Sequence, residues 1–271
     1  MRTLKDYLQS INFNKKPNNI IINIINQQYN SINNKDSEEQ VKKYIDAMIT
    51  AFQIYKTILD ESNIDLTVHN NRKLVAIFEC KSLQNKTEML EYADLNKKAL
   101  WELIANFLPL EKTPPDYLIA TNGKEWFVFE NGPFIRFANN NNAQQYCGFS
   151  QRVLPFLTKQ TRKEFYEHIE NFFKINPEIL KDFSNHCIYL KSVDEVYFFL
   201  SPDIFLRQYN PNIGNTLNRG FYDELLYILG LKEEEKQGKK TIVPNGVANT
   251  FYSQIFSQTN DFEKTLELMI I

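Results

Sequence analysis

Apolar residues at Val41, Ile45, Met48, Ile49, Phe52, Tyr55 and Leu59 recur at helical spacing and predict a helix over 36–61 with one buried face. Its start is marked by an S-x-x-Q capping box at Ser37 and Gln40, with Glu38 and Glu39 in the positive first turn. Two short β-rich runs follow, Ile64–His69 and Leu74–Cys80, around the turn-forming segment Asn70-Asn71-Arg72-Lys73. Helical spacing returns over 86–107 through Met89, Tyr92, Leu95, Ala99, Leu103 and Phe107, with Asn85 and Glu88 placed to cap it. Tyr117–Thr121 and Trp126–Glu130 read as strands about a turn at Asn122-Gly123, and the Asn run at 139–142 reads as a loop. Beyond residue 150 the pattern is mostly helical, over 158–173, 176–184, 192–200, 218–231 and 247–271, with Lys232–Lys240 as a solvated turn or loop. The expected architecture is α/β over 1–150, a mixed sheet flanked by helices, followed by a mostly α-helical domain over 151–271.

A chain of 271 residues, 43% hydrophobic and 24% charged, can bury a sizeable core, and its composition is that of a globular protein. The 21 Phe and 14 Tyr add core volume and stacking surface. Cys80, Cys147 and Cys187 are odd in number and far apart, which argues for a reducing cytoplasm and against structural zinc. No apolar run approaches the ~20 residues of a membrane span, and MRTLKDYLQS lacks the apolar stretch of a signal peptide. A net charge of −2 gives no global basic field, although a local basic groove and a carboxylate site can coexist within such a total. The stretch Phe262–Ile271 stops on Met269-Ile270-Ile271 without a C-cap signal, so a truncated chain is expected.

One constellation changes the picture from fold to chemistry. On the second strand Glu79 and Lys81 share a face while Cys80 points the other way, and reflection across the turn brings Asp65 opposite residue 78 or 79. The preceding Val75-Ala76-Ile77-Phe78 is apolar enough for a central strand, a costly place for charges that bind nothing. Two carboxylates suit Mg²⁺, with Mn²⁺ as a substitute, and the Cys80 peptide carbonyl could serve as a further ligand. A lysine beside that metal would orient or help deprotonate its water, and hydrolysis of a phosphodiester is the reaction such parts fit.

The layout of Asp65, Glu79 and Lys81, after an acid-capped helix and before a further helix and strands, resembles the PD-(D/E)xK nuclease superfamily, with Ile64-Asp65 where that pattern has Pro-Asp. Asn85-Lys86-x-Glu88-Met89, Leu95-Asn96-x-Lys98-Ala99-x-x-Glu102-Leu103 and Ile119-Ala120-Thr121-Asn122-x-x-Glu125-Trp126-Phe127-x-Phe129 are similar to the N-terminal region of type IIG restriction-modification proteins. Phe221-Tyr222-x-Glu224 through Leu231, and Leu266 to Ile270, resemble the helical connector that precedes the methyltransferase in that family. The resemblance implies a restriction-endonuclease-like core over 1–150, a connector over 151–271 and a Mg²⁺-dependent endonuclease acting on duplex DNA in the cytoplasm. It also implies fused methyltransferase and target-recognition domains that use S-adenosylmethionine in the intact protein, and a possible dimer on DNA. Neither N-P-P-[YF] nor a Gly-rich cofactor loop occurs here, so no S-adenosylmethionine binding is assigned to this chain.

Plainer roles stand beside these. Asp65, Glu79 and Lys81 could be a surface ion cluster, and the fold could be a DNA-binding or interaction module that does not cut. Glu39 could complete the metal site from the first helix or simply face the helix dipole, with Glu38 the lesser candidate. Lys86, Lys97, Lys98 and Lys124 are candidates for a DNA groove, though charged faces are usually just solvated. Cys80 is expected in the core, His69 as a solvated turn residue, His168 and His186 on helices without metal partners, and Trp126 and Phe127 in the sheet.

Overall fold

A computed structural model of the chain describes residues 1–10, 17–61, 63–149, 159–207, 226–227, 229–236, 239–247, 250–259 and 261. The chain divides into two compact units, Met1–Tyr209 and Asn210–Ile271, so the boundary expected near 150 falls inside the first.

The first unit is built on a seven-stranded mixed sheet. Its strands are β1 (Arg2–Thr3), β2 (Lys56–Glu61), β3 (Ile64–Asn70), β4 (Lys73–Cys80), β5 (Tyr117–Thr121), β6 (Trp126–Glu130) and β7 (Cys187–Leu190). They lie in the order β1-β7-β6-β5-β4-β3-β2. The pairs β4–β5 and β1–β7 are parallel and the others antiparallel. Between β4 and β5 runs the crossover that a parallel pair needs, carrying helix α4 (Lys98–Phe107). Val75, Ala76, Ile77 and Phe78 are all fully buried, as are Tyr117–Ala120 and Trp126–Phe129. Both faces of the sheet are covered, which is why these strands read as unbroken apolar runs without alternation.

One face carries α4, α5 (Gly132–Ala138), α6 (Asn141–Cys147), α7 (Lys159–Ile175) and α8 (Pro177–Asn185). The other carries α1 (Leu4–Ser10), α2 (Asn19–Ser31), α3 (Glu38–Thr50), α9 (Val193–Leu200) and the short α10 (Pro202–Phe205). The capping box forms as expected: Gln40 N–H donates to Ser37 Oγ at 3.3 Å and Ser37 N–H to Gln40 Oε1 at 2.8 Å.

Several expectations are corrected. The helix predicted over 36–61 ends at Thr50, and Lys56–Glu61 is an edge strand on β3. Gln53, at φ 59°, breaks the helix, while the buried Phe52 and Tyr55 carry the apolar rhythm past its end. The helix predicted over 86–107 begins only at Lys98. Asn85 Oδ1 does accept from Glu88 N–H at 3.3 Å, but the turn does not propagate, and Met89, Leu90 and Leu95 reach the core from irregular backbone. Asn140 caps α6 rather than lying within a loop. Cys187–Leu190, between the helices expected over 176–184 and 192–200, is a sheet strand, and α7 and α8 pack on the same sheet, which is why the first unit extends to Tyr209. His69 lies on β3 beside a bulge after Val68 and is partly buried against Thr67.

In the second unit Leu226, Tyr227 and Leu229 are helical, followed by a hairpin of β8 (Leu231–Lys236) and β9 (Lys239–Pro244), then α11 (Phe251–Thr259). The hairpin replaces the loop expected at 232–240: the charged run Lys232-Glu233-Glu234-Glu235-Lys236 shows no apolar alternation, while Leu231 and Ile242 pack against Tyr252. The predicted segments 218–225 and 262–271 lie outside the described residues.

Candidate functional site

β4 is buried through its last six residues, and Lys81 just beyond it is buried too. Phe78 and Cys80 pack into the layer of α3, so Glu79 and Lys81 take the opposite face, toward α4. With Leu66 opposite Phe78, the antiparallel register sets Asp65 opposite Glu79, as the hairpin predicts. The Cys80 N–H donates to Asp65 Oδ2 at 2.7 Å, tying that carboxylate to the peptide between the other two residues. Asp65, Glu79 and Lys81 line one cleft of about 470 Å³, with Glu38, Asp60, Asn63, Glu88, Lys98, Glu102 and Arg162. The cleft opens at the carboxyl end of the parallel strand β4, the end at which open α/β sheets bind ligands.

Lysines organise these carboxylates in two groups. Lys81 Nζ lies 2.6 Å from Glu79 Oε1, 2.8 Å from Glu102 Oε2 and 4.0 Å from Glu88 Oε2. The Lys81 and Glu79 side chains are only 4% and 7% exposed, so their charges are held in a poorly screened setting. Lys42 on α3 lies 2.8 Å from Asp65 Oδ1 and 2.7 Å from Asp60 Oδ1. Around the rim, Lys98 pairs with Glu88 at 2.6 Å and stands 3.6 Å from Glu102.

The electrostatics follow from burial. Burial pushes the Glu79 carboxyl well above its usual range; Lys81 opposes this, while Glu102, Asp65 and a hydrogen bond shared with Glu102 add to it. Burial alone would lower the Lys81 ammonium, but the charges of Glu79 and Glu102 outweigh it and hold Lys81 cationic. Lys42 is likewise raised against its burial by hydrogen bonds to Asp60 and Asp65. Glu38 is raised by burial, with Lys81 acting to lower it.

Helix α3 supplies Glu38 to the cleft, not Glu39, whose half-exposed carboxylate lies 3.6 Å from Lys43 and 4.0 Å from Lys42. Capping alone could not choose between adjacent glutamates. Lys42 and Arg162 went unremarked in the sequence, and Glu102 was named only within a family-like segment, with no role in the site; a charge on the apolar stripe of a helix, as at Lys42 in α3 and Glu102 in α4, is the signal that could have found those two. Lys86 is exposed and, with Lys124, lines a separate groove of about 650 Å³; Lys97 pairs with Glu91 at 3.3 Å. Cys80, Trp126 and Phe127 are fully buried, as expected of core residues.

The donor oxygens are of the hard class that Mg²⁺ and Mn²⁺ take, and Glu102 Oε2 is buried without an aligned hydrogen-bond donor. Among the described residues, however, no set of three or more Asp, Glu, His or Cys side chains is gathered tightly enough to hold a metal ion as it stands. Lysines engage one oxygen of each carboxylate, Asp65 Oδ1 and Glu79 Oε1, so a bound ion would compete with them for those two atoms. Among the described residues, no helix is long and apolar enough to cross a membrane.

No curated protein and no solved structure matches the chain. Two family models do, each described only as a domain of unknown function: DUF7149 over residues 2–212 and DUF7814 over 214–269. The first match spans most of the chain and every residue of the cleft, so the protein belongs to the DUF7149 family.

Proposed function

We propose that the protein is a divalent-metal-dependent endonuclease hydrolysing DNA phosphodiesters, with a restriction-endonuclease-like first unit, and that it is the cleavage portion of a type IIG restriction-modification protein. The observation that carries the reading is the buried Glu79–Lys81 pair at the end of β4, sharing one cleft with Asp65. Charges buried at that depth are costly unless they serve a ligand or a reaction. Asp65, Glu79 and the Cys80 carbonyl would hold Mg²⁺ or Mn²⁺, with Glu38 nearby on α3 in the place considered for Glu39. The bound metal would lower the pKa of a coordinated water and offset charge growing on the phosphate. Lys81, held cationic, would orient the attacking water and face the phosphate; its raised pKa makes it a poor proton acceptor. Duplex DNA is the proposed substrate, and the S-adenosylmethionine-dependent methyltransferase and target-recognition domains are proposed partners of the intact protein, as is a second copy on DNA.

A non-cutting DNA-binding or interaction module is favoured by one observation: lysines already neutralise both carboxylates. Calorimetry with Mn²⁺ separates the two. The nuclease binds the ion and loses it in Glu79→Ala, whereas the module shows no difference. Plasmid nicking in Mn²⁺ then tests the chemistry. The parent should nick and Lys81→Ala should fall by at least about a hundredfold; equal rates for the two would end the assignment.

A further inference from the structure

Six carboxylates line the cleft, and three cationic side chains face them: Lys81, Lys98 and Arg162. The two lysines are each engaged by glutamates within 4.0 Å. Arg162 differs. Among the described residues it forms no salt bridge, and its Nε is buried without a hydrogen-bond partner. A guanidinium presents five donors in a rigid fork, and a buried N–H that stays unpaired costs more than one left in water. An arginine left uncommitted among carboxylates is arranged for something the cleft receives.

Its backbone is held firmly. Arg162 lies in the first turn of α7, and Phe165, Tyr166, Ile169, Phe172 and Phe173 of that helix are buried in the same core as Leu103 and Phe107 of α4. Tyr166, one turn on, stands close enough for Glu102, Arg162 and Glu79 to bear on a hydroxyl that burial pushes up to about 12. A rigid, packed helix therefore delivers the cation to the same cleft as Glu79 and Lys81, as positioning a charged ligand demands.

From this unspent fork in a carboxylate cleft, we infer that Arg162 is a phosphate-binding residue, which holds a backbone phosphodiester of the nucleic acid against the Asp65–Glu79–Lys81 end of β4. The inference rests on the nuclease reading above. It gives the acidic cleft a means of admitting an anion, since guanidinium pairs with phosphate oxygens through two parallel hydrogen bonds. It also gives α7, expected from sequence to be connector, a part in the site.

The test uses the full chain, a fluorescent 12-base-pair duplex and anisotropy titrations in Ca²⁺ across a salt series, with Mn²⁺ calorimetry alongside. Arg162→Gln should weaken duplex binding about tenfold and reduce the salt slope by about one, leaving the Mn²⁺ isotherm unchanged. Arg162→Lys should restore the salt slope but only part of the affinity, because the point charge returns without the fork. Affinity and slope unchanged in Arg162→Gln overturn the inference, and so does a parent that binds no duplex. The nuclease reading fails separately: it falls if the parent binds no Mn²⁺, and survives if Mn²⁺ binds while Arg162→Gln behaves as the parent. A weakened duplex with an altered Mn²⁺ isotherm also counts against Arg162, because it makes the residue a general support of the cleft.

Discussion

Glu79 is a carboxyl kept where a carboxylate is disfavoured. Burial is the main cause of its raised pKa, and Lys81, although 2.6 Å away, offsets only part of it. In the unfolded chain the same group ionises in the ordinary carboxyl range. Folding therefore takes up a proton between the two values. The stability this group adds is complete below its unfolded-state titration and is lost as pH rises toward and through the folded-state value. As pH rises past the ordinary carboxyl range the metal-free parent should lose stability relative to Glu79→Gln. Thermal melts of the two at rising pH check it; parallel profiles would mean that the carboxyl is not perturbed. Adjacent glutamates supply a second residue-level contrast. Glu38 lines the cleft and Glu39 does not, so in Mn²⁺ nicking Glu38→Gln should slow the reaction by about tenfold or more, while Glu39→Gln stays within about twofold. The reverse ranking would return the acidic role on α3 to Glu39.

At the scale of elements, two local devices set the geometry around the cleft. The capping box fixes where α3 starts, and hence where Glu38 and Lys42 stand. Ser37→Ala should cost about 1 kcal/mol in urea unfolding with the m-value unchanged. The β5–β6 turn depends on Gly123, at φ +83°, whose added Cβ would meet the Ile32 side chain. Gly123→Ala should destabilise by about 1–3 kcal/mol by the same measurement. Much here was legible from pattern. The hairpin β3–β4 and the pair β5–β6 announced themselves through apolar runs bounded by Asn-rich turns, and with them came the meeting of Asp65, Glu79 and Lys81. Other elements were hidden for definable reasons. Phe52 and Tyr55 prolong a helical rhythm beyond the helix, so β2 looked like its continuation. Met89, Leu90 and Leu95 reach the core from irregular backbone, which periodicity alone cannot distinguish from a helix. Cys187–Leu190 has only four residues, too few for its alternation to stand out. Arg162, which lines the cleft from α7, lies far along the chain from the β3–β4 hairpin, and only tertiary packing brings it there.

At the scale of the whole chain, the first unit carries two large buried clusters on either face of its sheet, while the described core of the second gathers around Leu226, Leu231 and Tyr252. A fragment ending at residue 212 should therefore keep its cooperative melt within about 5 °C of the full chain, as circular dichroism can establish. A fragment that aggregates or melts without cooperativity would make the second unit part of the folding unit.

The place of β7 in the sheet has a consequence for synthesis. The outer edge of β6, which is the apolar run Trp126-Phe127-Val128-Phe129, has no neighbour until Cys187–Leu190 arrives, and β1 in turn waits for β7. On a ribosome emitting residues in order, a hydrophobic strand edge thus stands open while some sixty further residues are made, the kind of exposure that recruits chaperones or invites edge-to-edge association between nascent chains.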